Sequence, residues 1–311
     1  MASTSSTFSG PFTRAMGLTS GLTDWTLRGP GFRRVVTNVY VPAAVRLTPA
    51  VRARAVLLIA PKGAVVARHT AAQIWGGVVP DSPDIHLLVP RGSRFRREGV
   101  LATETEDVSA VVRAGVSLTS PARTFVDLAR TLTLVELVVL GDSRVRRGAV
   151  NRDQLVADAA VARGRGARLA RRAATYVRDG VDSPMETRLR MLIVLGGLPE
   201  PVVNYMLRDE HGAWLMRFDL SYPAWRIAVE YDGRQHAESS RQWVHDVGRR
   251  EWLDTNGWRL VVVLSGDLFG KAGATLARVE CVLAERGALT GLTKRSACRC
   301  DEWQRYFRHD G

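Results

Sequence analysis

Residues 214–232, WLMRFDLSYPAWRIAVEYD, decide the fold of the last third of the chain. Apolar and polar residues alternate in two runs, Trp214 to Tyr222 and Arg226 to Asp232, and a short connection separates them. This pattern predicts an antiparallel hairpin. Because successive side chains of a strand point to opposite faces, one face is apolar and the other carries Asp219 and Glu230.

The register of this hairpin sets the distance between the two carboxylates. A two-residue turn at Pro223-Ala224 pairs Asp219 with Ala228 and leaves Asp219 diagonal to Glu230, about 7–8 Å away. Such a pair suits Mg²⁺ or Mn²⁺, since these cations keep several waters and can engage a phosphate. Without a cation or a proton the carboxylates repel each other. We therefore favour a metal site over the alternative, a solvated strand face with scattered acidic residues.

The residues after the second strand supply a candidate for proton transfer. Asp232-Gly233 ends the strand and places Gln235 and His236 just beyond the acidic edge. A neutral imidazole accepts a proton from attacking water, and a charged one stabilises a leaving oxygen. The alternative for His236 is a polar group on the surface. Gln235 is a candidate for contact with DNA.

A predicted helix precedes the hairpin. Ser183-Pro184-Met185-Glu186 combines an N-cap serine, a proline in the first turn and a glutamate that can close a capping box. Glu186 therefore has a structural role available to it, whatever else it does.

A second helix, Trp243 to Asn256, is predicted after the hairpin, followed by an apolar run typical of a buried strand, Trp258 to Leu264. Arg249 and Arg250 lie on this helix. Either one of them faces a phosphate group, or Arg250 forms a surface ion pair with Asp246 four residues earlier.

Composition indicates a polyanionic partner. The chain has 311 residues, about twice a typical domain, and a formal net charge of +13. Arginine dominates the positive charge, and its planar fork suits bidentate contact with phosphate. The alternative is that high-GC coding enriches arginine and alanine. Charge favours nucleic acid but needs support from motifs.

The cysteines and the chain start predict a cytoplasmic protein. Cys281, Cys298 and Cys300 are odd in number and clustered, which indicates reduced thiols. The Ser/Thr-rich start lacks the apolar core of a signal peptide. The most apolar stretch is far shorter than the roughly 20 residues that a membrane span needs, so we expect no membrane partner.

The N-terminal region has the outline of a winged helix. Phe12 to Leu18 and Leu22 to Arg28 are predicted to be short helices joined by a glycine-containing turn. Phe32 to Val41 is rich in β-branched and aromatic residues and suits a hairpin wing. Arg33 and Arg34 on this wing are candidates for contact with DNA.

The sequence thus predicts an α/β protein of the α+β type. We expect a winged-helix segment at 10–45, a mixed α/β region with a basic linker at 46–178, a mixed sheet flanked by helices at 180–285, and a tail at 286–311.

The last third resembles the domain-of-unknown-function 559 family, a relative of the very-short-patch mismatch repair endonucleases with a restriction-endonuclease-like fold. The resemblance covers roughly residues 180 to 285. It rests on Phe218-Asp219-Leu220, Val229 to Gly233, Gln235-His236, Asp246, Arg249 and Gly257 to Val263.

This resemblance implies a metal-dependent endodeoxyribonuclease. Asp219 and Glu230 would hold the metal, and His236 would transfer protons. Glu186 on the first helix and Asp232 next to the pair would complete the catalytic set. The wider fold places a lysine two residues after the strand glutamate, where this chain has Asp232. Either another group replaces that ammonium, or the site binds metal and DNA without efficient cleavage.

The first part resembles the N-terminal region of AbiEi-type antitoxins over roughly residues 10 to 130. The resemblance rests on Gly17-Leu18-Thr19, on the wing from Arg33 to Val41, and on Thr119 to Leu128. It implies that the winged helix binds promoter DNA and that a cognate toxin is a partner.

Three functions follow from these patterns. The first is an endonuclease that uses Mg²⁺ or Mn²⁺ to cleave DNA. The second is a DNA-binding regulator of the antitoxin type whose nuclease domain is degenerate. The third is an interaction protein whose acidic face binds a partner.

Overall fold

The computed structural model describes residues 8–233, 240–289 and 302–307, and for residues 240–247 it describes the backbone alone. The chain divides into two compact units. The first consists of residues up to Leu132 together with Arg147–Thr175, and the second of Thr133–Arg146 together with the chain from Tyr176 onward. Helices accompany three antiparallel or mixed sheets, which confirms the predicted α+β class.

The first unit begins with two short helices followed by a hairpin. The elements are β1 (Phe12–Thr13), α1 (Arg14–Thr19), α2 (Asp24–Arg28), β2 (Phe32–Val36) and β3 (Val39–Pro42). The strands form an antiparallel sheet in the order β1-β3-β2. Thr13 and Thr23 cap the two helices by accepting the backbone N–H three residues on, at 3.2 and 3.1 Å. The predicted helices and hairpin are present, except that Phe12 and Thr13 belong to strand β1 and the second helix begins at Asp24 and not at Leu22.

The rest of the first unit is built on a five-stranded mixed sheet in the order β6-β5-β4-β8-β7. Its elements are α3 (Pro49–Leu57), β4 (Val65–Val66), α4 (Arg68–Ile74), β5 (Ile85–Pro90), β6 (Val100–Thr105), β7 (Val111–Arg113), β8 (Val116–Leu118), α5 (Pro121–Leu128), α7 (Arg152–Val161) and α8 (Ala167–Tyr176). The basic stretch predicted as a linker lies largely in α8. Its alanines are buried, because they recur at helical spacing opposite the arginines.

The second unit is built on a four-stranded sheet in the order β12-β11-β10-β9. Its elements are α6 (Leu134–Arg146), α9 (Pro184–Leu195), β9 (Val202–Arg208), β10 (Trp214–Tyr222), β11 (Ile227–Asp232), α10 (Ser240–Thr255), β12 (Arg259–Leu264), α11 (Ser265–Phe269), α12 (Ala272–Glu285) and α13 (Gln304–Phe307). The pairs β9–β10 and β10–β11 are antiparallel and β11–β12 is parallel, so the sheet is mixed as predicted.

Helix α6 corrects the predicted boundary near residue 178. It lies inside the stretch assigned to the middle region, yet it packs on α9 of the second unit. Asp142 on α6 is 2% exposed and Arg190 on α9 is fully buried, and their side chains form an ion pair at 2.8 Å. A buried charge must find a partner, so this pair ties α6 to the second unit.

Among the described residues, no helix combines the length and the apolar character needed to cross a membrane.

Candidate functional site

The connection between β10 and β11 corrects the predicted register. A 3₁₀ turn, Pro223–Trp225, is followed by Arg226 in the left-handed conformation with φ 50° and ψ 50°, so four residues join the strands. Leu220 pairs with Val229, and the same register sets Asp219 opposite Glu230. The prediction that Asp219 pairs with Ala228 and lies diagonal to Glu230 is therefore wrong.

Asp219 stands where β10 and β11 stop pairing through their backbones. The last backbone pair of this ladder is Leu220–Val229. Beyond it, the Oδ2 atom of Asp219 accepts the backbone N–H of Tyr231 at 3.1 Å. The carboxylate is held in place by this bond. Its Oδ1 atom has no hydrogen bond to any described residue.

Glu230 is held by an arginine from α10. Arg249 Nη2 donates to Glu230 Oε1, and also to the backbone carbonyl of Arg217 at 3.2 Å. The guanidinium lies 5.8 Å from the centre of the Phe218 ring. Glu230 is only 15% exposed. Arg249, proposed from the sequence as a contact to DNA, therefore already has a carboxylate partner within the protein.

Burial raises the pKa of both carboxyl groups in this pair. For Asp219 the N–H of Tyr231 and the charge of Arg249 act in the opposite direction but do not overcome burial. For Glu230 the nearby Arg249 lowers the pKa, and the charge of Asp219 raises it again. Two desolvated carboxylates side by side take up a proton or a cation. Glu230, at 15% exposure, is therefore not a fully solvated surface carboxylate.

The charge of Asp219 contributes to the pKa of Glu186, but the two side chains do not line a common pocket. Ser183 Oγ accepts the N–H of Glu186 at 3.1 Å, which confirms the predicted cap. The returning bond differs from the prediction, because Glu186 Oε2 accepts the N–H of Asp182, at 3.0 Å, and not that of the cap residue. Burial raises the pKa of Glu186, and Asp219 adds to that effect. The observed bonds give Glu186 a structural role at the start of α9.

A pocket of about 370 Å³ lies over the carboxylate pair; we call it the acidic pocket. Its lining is Arg217, Asp219, Glu230, Tyr231, Asp232, Gly233, Arg249, Arg250, Leu260 and Val262. Strand alternation places Arg217 on the same face as Asp219, but the sequence alone gave it no role in the site. Arg217 also pairs with Asp182 at 2.6 Å.

The other candidate residues are placed as follows. Asp232 and Arg250 line the acidic pocket. Arg33 and Arg34 are exposed on β2 of the first unit, and Arg33 donates to the backbone carbonyl of Val45. Gln235 and His236 lie outside the described residues.

Asp219 and Glu230 are the two residues of the acidic pocket that could hold a divalent cation. Within the described ranges, no three histidine, cysteine or acidic side chains cluster at metal-binding spacing. Mg²⁺ usually takes one or two carboxylates and completes its shell with water and substrate phosphate. Asp219 Oδ1 and Glu230 Oε2 are free of bonds to the described residues and meet that requirement.

Comparisons with known proteins place relatives in mycobacteria. No protein-family model matches the sequence. Two curated proteins of Mycobacterium tuberculosis, uncharacterized protein MT2308 of strain CDC 1551 and uncharacterized protein Rv2248 of strain H37Rv, are each 28% identical over 218 residues, covering 70% of this chain and 80% of theirs. The crystal structure of the Rv2827c protein of the same species covers 58% of this chain and 74% of its own at 15% identity, with a TM-score of 0.37.

Proposed function

We propose that this protein is a metal-dependent endodeoxyribonuclease whose site is the acidic pocket. The observation that carries the proposal is Asp219 directly opposite Glu230 at the point where two strands separate. Each carboxylate keeps one oxygen free of bonds to the described residues, and arginines border the pocket. The resemblance to the very-short-patch repair endonucleases supports the same reaction.

The protein residues divide the work of phosphodiester hydrolysis. A bound Mg²⁺ or Mn²⁺ supplies the activation of water and the polarisation of the phosphate. Asp219, which accepts the N–H of Tyr231, and Glu230, which accepts from Arg249, would hold the cation. Arg217 and Arg250 attract the phosphate, since guanidinium groups favour such contacts. We assign proton transfer to His236.

The first unit would dock the protein on DNA. The capped helix pair α1–α2 and the hairpin β2–β3 have the order of a helix–turn–helix with a wing. Arg33 and Arg34 are exposed on the wing. Trp25 on α2 is 86% exposed, so its indole is free to contact a ligand. We propose that this face binds the phosphate backbone and the groove.

A second candidate function is a non-catalytic regulator of the antitoxin type, with a cognate toxin as its partner. Two observations favour it. Asp232 stands where the wider fold has lysine, and Arg249 already neutralises Glu230 within the protein. A site completed by its own arginine has less need of a cation. In that case DNA binding through Arg33 and Arg34 is the activity, and the acidic pocket is a remnant.

The test is cleavage of supercoiled plasmid and of mismatch-containing duplex by the full-length chain, with Mg²⁺ or Mn²⁺. We expect metal-dependent nicking that Asp219→Asn and Glu230→Gln each reduce by more than the roughly 10–100-fold that loss of an outer-shell partner costs. Glu251→Gln is the matched control, because Glu251 is an exposed acid on α10 that does not line the pocket. Nicking that survives in both pocket variants contradicts the assignment.

DNA binding separates the two functions. A nuclease retains its affinity for duplex DNA in Asp219→Asn while losing cleavage. A regulator shows no cleavage under any condition, and its binding weakens in Arg33→Ala. The slope of log affinity against log salt should fall by about 1 for each phosphate contact removed. Absence of any binding at low salt contradicts both functions.

A further inference from the structure

A second pocket, of about 540 Å³, lies within the first unit, and nothing in the proposed function uses it. We call it the arginine pocket. Leu88 and Thr103, from the neighbouring strands β5 and β6, border it on one side. Helix α5 and the segment from 162 to 165, between α7 and α8, border it on the others. Its volume falls in the range of about 300–1,000 Å³ that small-molecule sites occupy.

Four guanidinium groups line the arginine pocket without a carboxylate partner among the described residues. They belong to Arg68, Arg130, Arg163 and Arg165. Among the described residues, Arg163 donates only to the backbone carbonyls of Val161 and Ala162, and Arg130 Nε donates to the carbonyl of Arg165 at 3.2 Å. Clustered like charges repel each other unless an anion lies between them. The cluster is therefore suited to an anionic ligand.

The three acidic residues of this pocket are already engaged. Asp127 Oδ1 pairs with Arg123 Nε at 3.0 Å. Glu104 accepts the backbone N–H of Gly92 at 3.0 Å. Asp158 accepts a glutamine amide of its own helix at 2.9 Å. None of them neutralises the four arginines through a direct contact, so the surplus positive charge remains in the pocket.

The backbone that carries these arginines is held in place. The Arg130 bond anchors the loop at Arg165, and Arg171 Nη1 donates to a second loop carbonyl at 3.0 Å. Gly166 has a φ of +87°, and a Cβ there would lie 2.9 Å from backbone atoms at the end of α5. Arg68 has a left-handed φ of 48°, a conformation that costs energy and concentrates at functional sites. The guanidinium groups thus project from an ordered frame.

One acceptor in the pocket also lacks a donor. Asp127 Oδ2 is buried and has no hydrogen-bond partner among the described residues. An unsatisfied buried oxygen is costly. The Asp127 side chain lines the pocket and is 14% exposed, so a small rotation of its carboxylate would let an N–H or O–H of a ligand satisfy this oxygen. Ser120 Oγ accepts the N–H of Arg123, which leaves its own hydrogen to donate. The pocket therefore offers cations for an anion and an acceptor for a donor group.

We propose that the arginine pocket binds a small phosphate-bearing ligand of nucleotide size. Its phosphate lies among Arg68, Arg130, Arg163 and Arg165, because guanidinium forks match phosphate oxygens. An N–H or O–H of the same ligand donates to Asp127. The phosphate ester belongs either to a free nucleotide or to a nucleic-acid strand that enters the pocket.

Calorimetric titration of the full-length chain tests this proposal. The probes are adenosine monophosphate, inorganic pyrophosphate, adenosine, and a short single-stranded oligonucleotide. We expect the phosphate-bearing probes to bind and adenosine to fail. Arg165→Ala and Arg163→Ala, both exposed loop changes, should each weaken binding by about tenfold or more. Arg94→Ala is the matched control, since it removes an exposed arginine of the same unit outside the pocket.

The arms of the titration separate the possible results. Asp127→Ala should weaken adenosine monophosphate relative to pyrophosphate, which has no base to donate. Binding of the oligonucleotide alone, reduced by Arg165→Ala, assigns the phosphate to a strand. No binding by any phosphate probe, or binding equal in Arg165→Ala, Arg163→Ala and Arg94→Ala, overturns the proposal. Asp219→Asn should leave this binding unchanged, so the result is separate from the nuclease assignment.

Discussion

Removal of Arg190 should destabilise the second unit strongly. Arg190 is fully buried and contacts Asp142 at 2.8 Å and Glu200 at 3.1 Å. Arg190→Met keeps most of the apolar stem and removes the cation. Glu200 retains a partner in Arg178 at 2.7 Å, whereas within the described part of the chain Asp142 keeps only neutral donors, the backbone N–H of Arg178 and the hydroxyl of Thr187. Breaking a buried ion pair in this way costs about 3–5 kcal/mol of unfolding free energy.

The loss of stability in Arg190→Met should become larger as the pH rises. Burial already raises the pKa of Asp142, and Arg190 acts against that rise. Without Arg190 the pKa rises further, so the folded variant holds a proton at pH values where the unfolded chain has lost it. Stability of Arg190→Met therefore falls as pH rises above the ordinary aspartate value of about 4. The gap to the wild type shrinks as pH is lowered.

Urea denaturation of the full-length chain, followed by circular dichroism and tryptophan fluorescence, measures this effect. Asp142→Asn added to Arg190→Met should recover much of the stability, because the buried charge is gone while an acceptor remains. Arg208→Met, at an exposed position on β9, is the control and should change stability by less than about 0.5 kcal/mol. A loss below about 1 kcal/mol in Arg190→Met, or one independent of pH, refutes this account of the pair.

Three further results are expected. Gly164→Ala and Gly166→Ala both place a side chain at a φ near +80°, but only at Gly166 does the new Cβ meet backbone atoms. Thermal denaturation should therefore show a larger loss of stability in Gly166→Ala than in Gly164→Ala, and equal losses would contradict the close approach. Burial, aided by nearby positive charge, lowers the pKa of His86 to about 4. Titration of this histidine should therefore reduce the free energy of unfolding by about 3 kcal/mol between pH 6.5 and pH 4. His86→Leu should abolish this contribution to the pH dependence of stability. Arg249→Met should raise the pKa of Glu230 and so shift Mn²⁺ binding, measured by calorimetry, to higher pH. An unchanged pH profile would show that the ion pair does not set the pKa of Glu230.

The local sequence pattern was sufficient to predict the helix and the strands that carry the candidate site. Alternation over 214–232 predicted the hairpin and the shared face of Asp219 and Glu230, and Ser183 predicted the start of α9. Such features depend on residues close in the chain, whose spacing sets which side they face. The outline of two short helices and a hairpin near the N-terminus likewise followed from local patterns.

Tertiary structure decided how these elements meet. The strand register followed from the left-handed backbone of Arg226, because alternation sets the face of a strand but not the length of its turn. The bond from Arg249 to Glu230 spans 19 residues and depends on how α10 packs against the sheet. The placement of α6 depends on the packing of its buried apolar face and on the buried ion pair Asp142–Arg190. Contacts of this kind join residues far apart in the chain, and packing alone selects them.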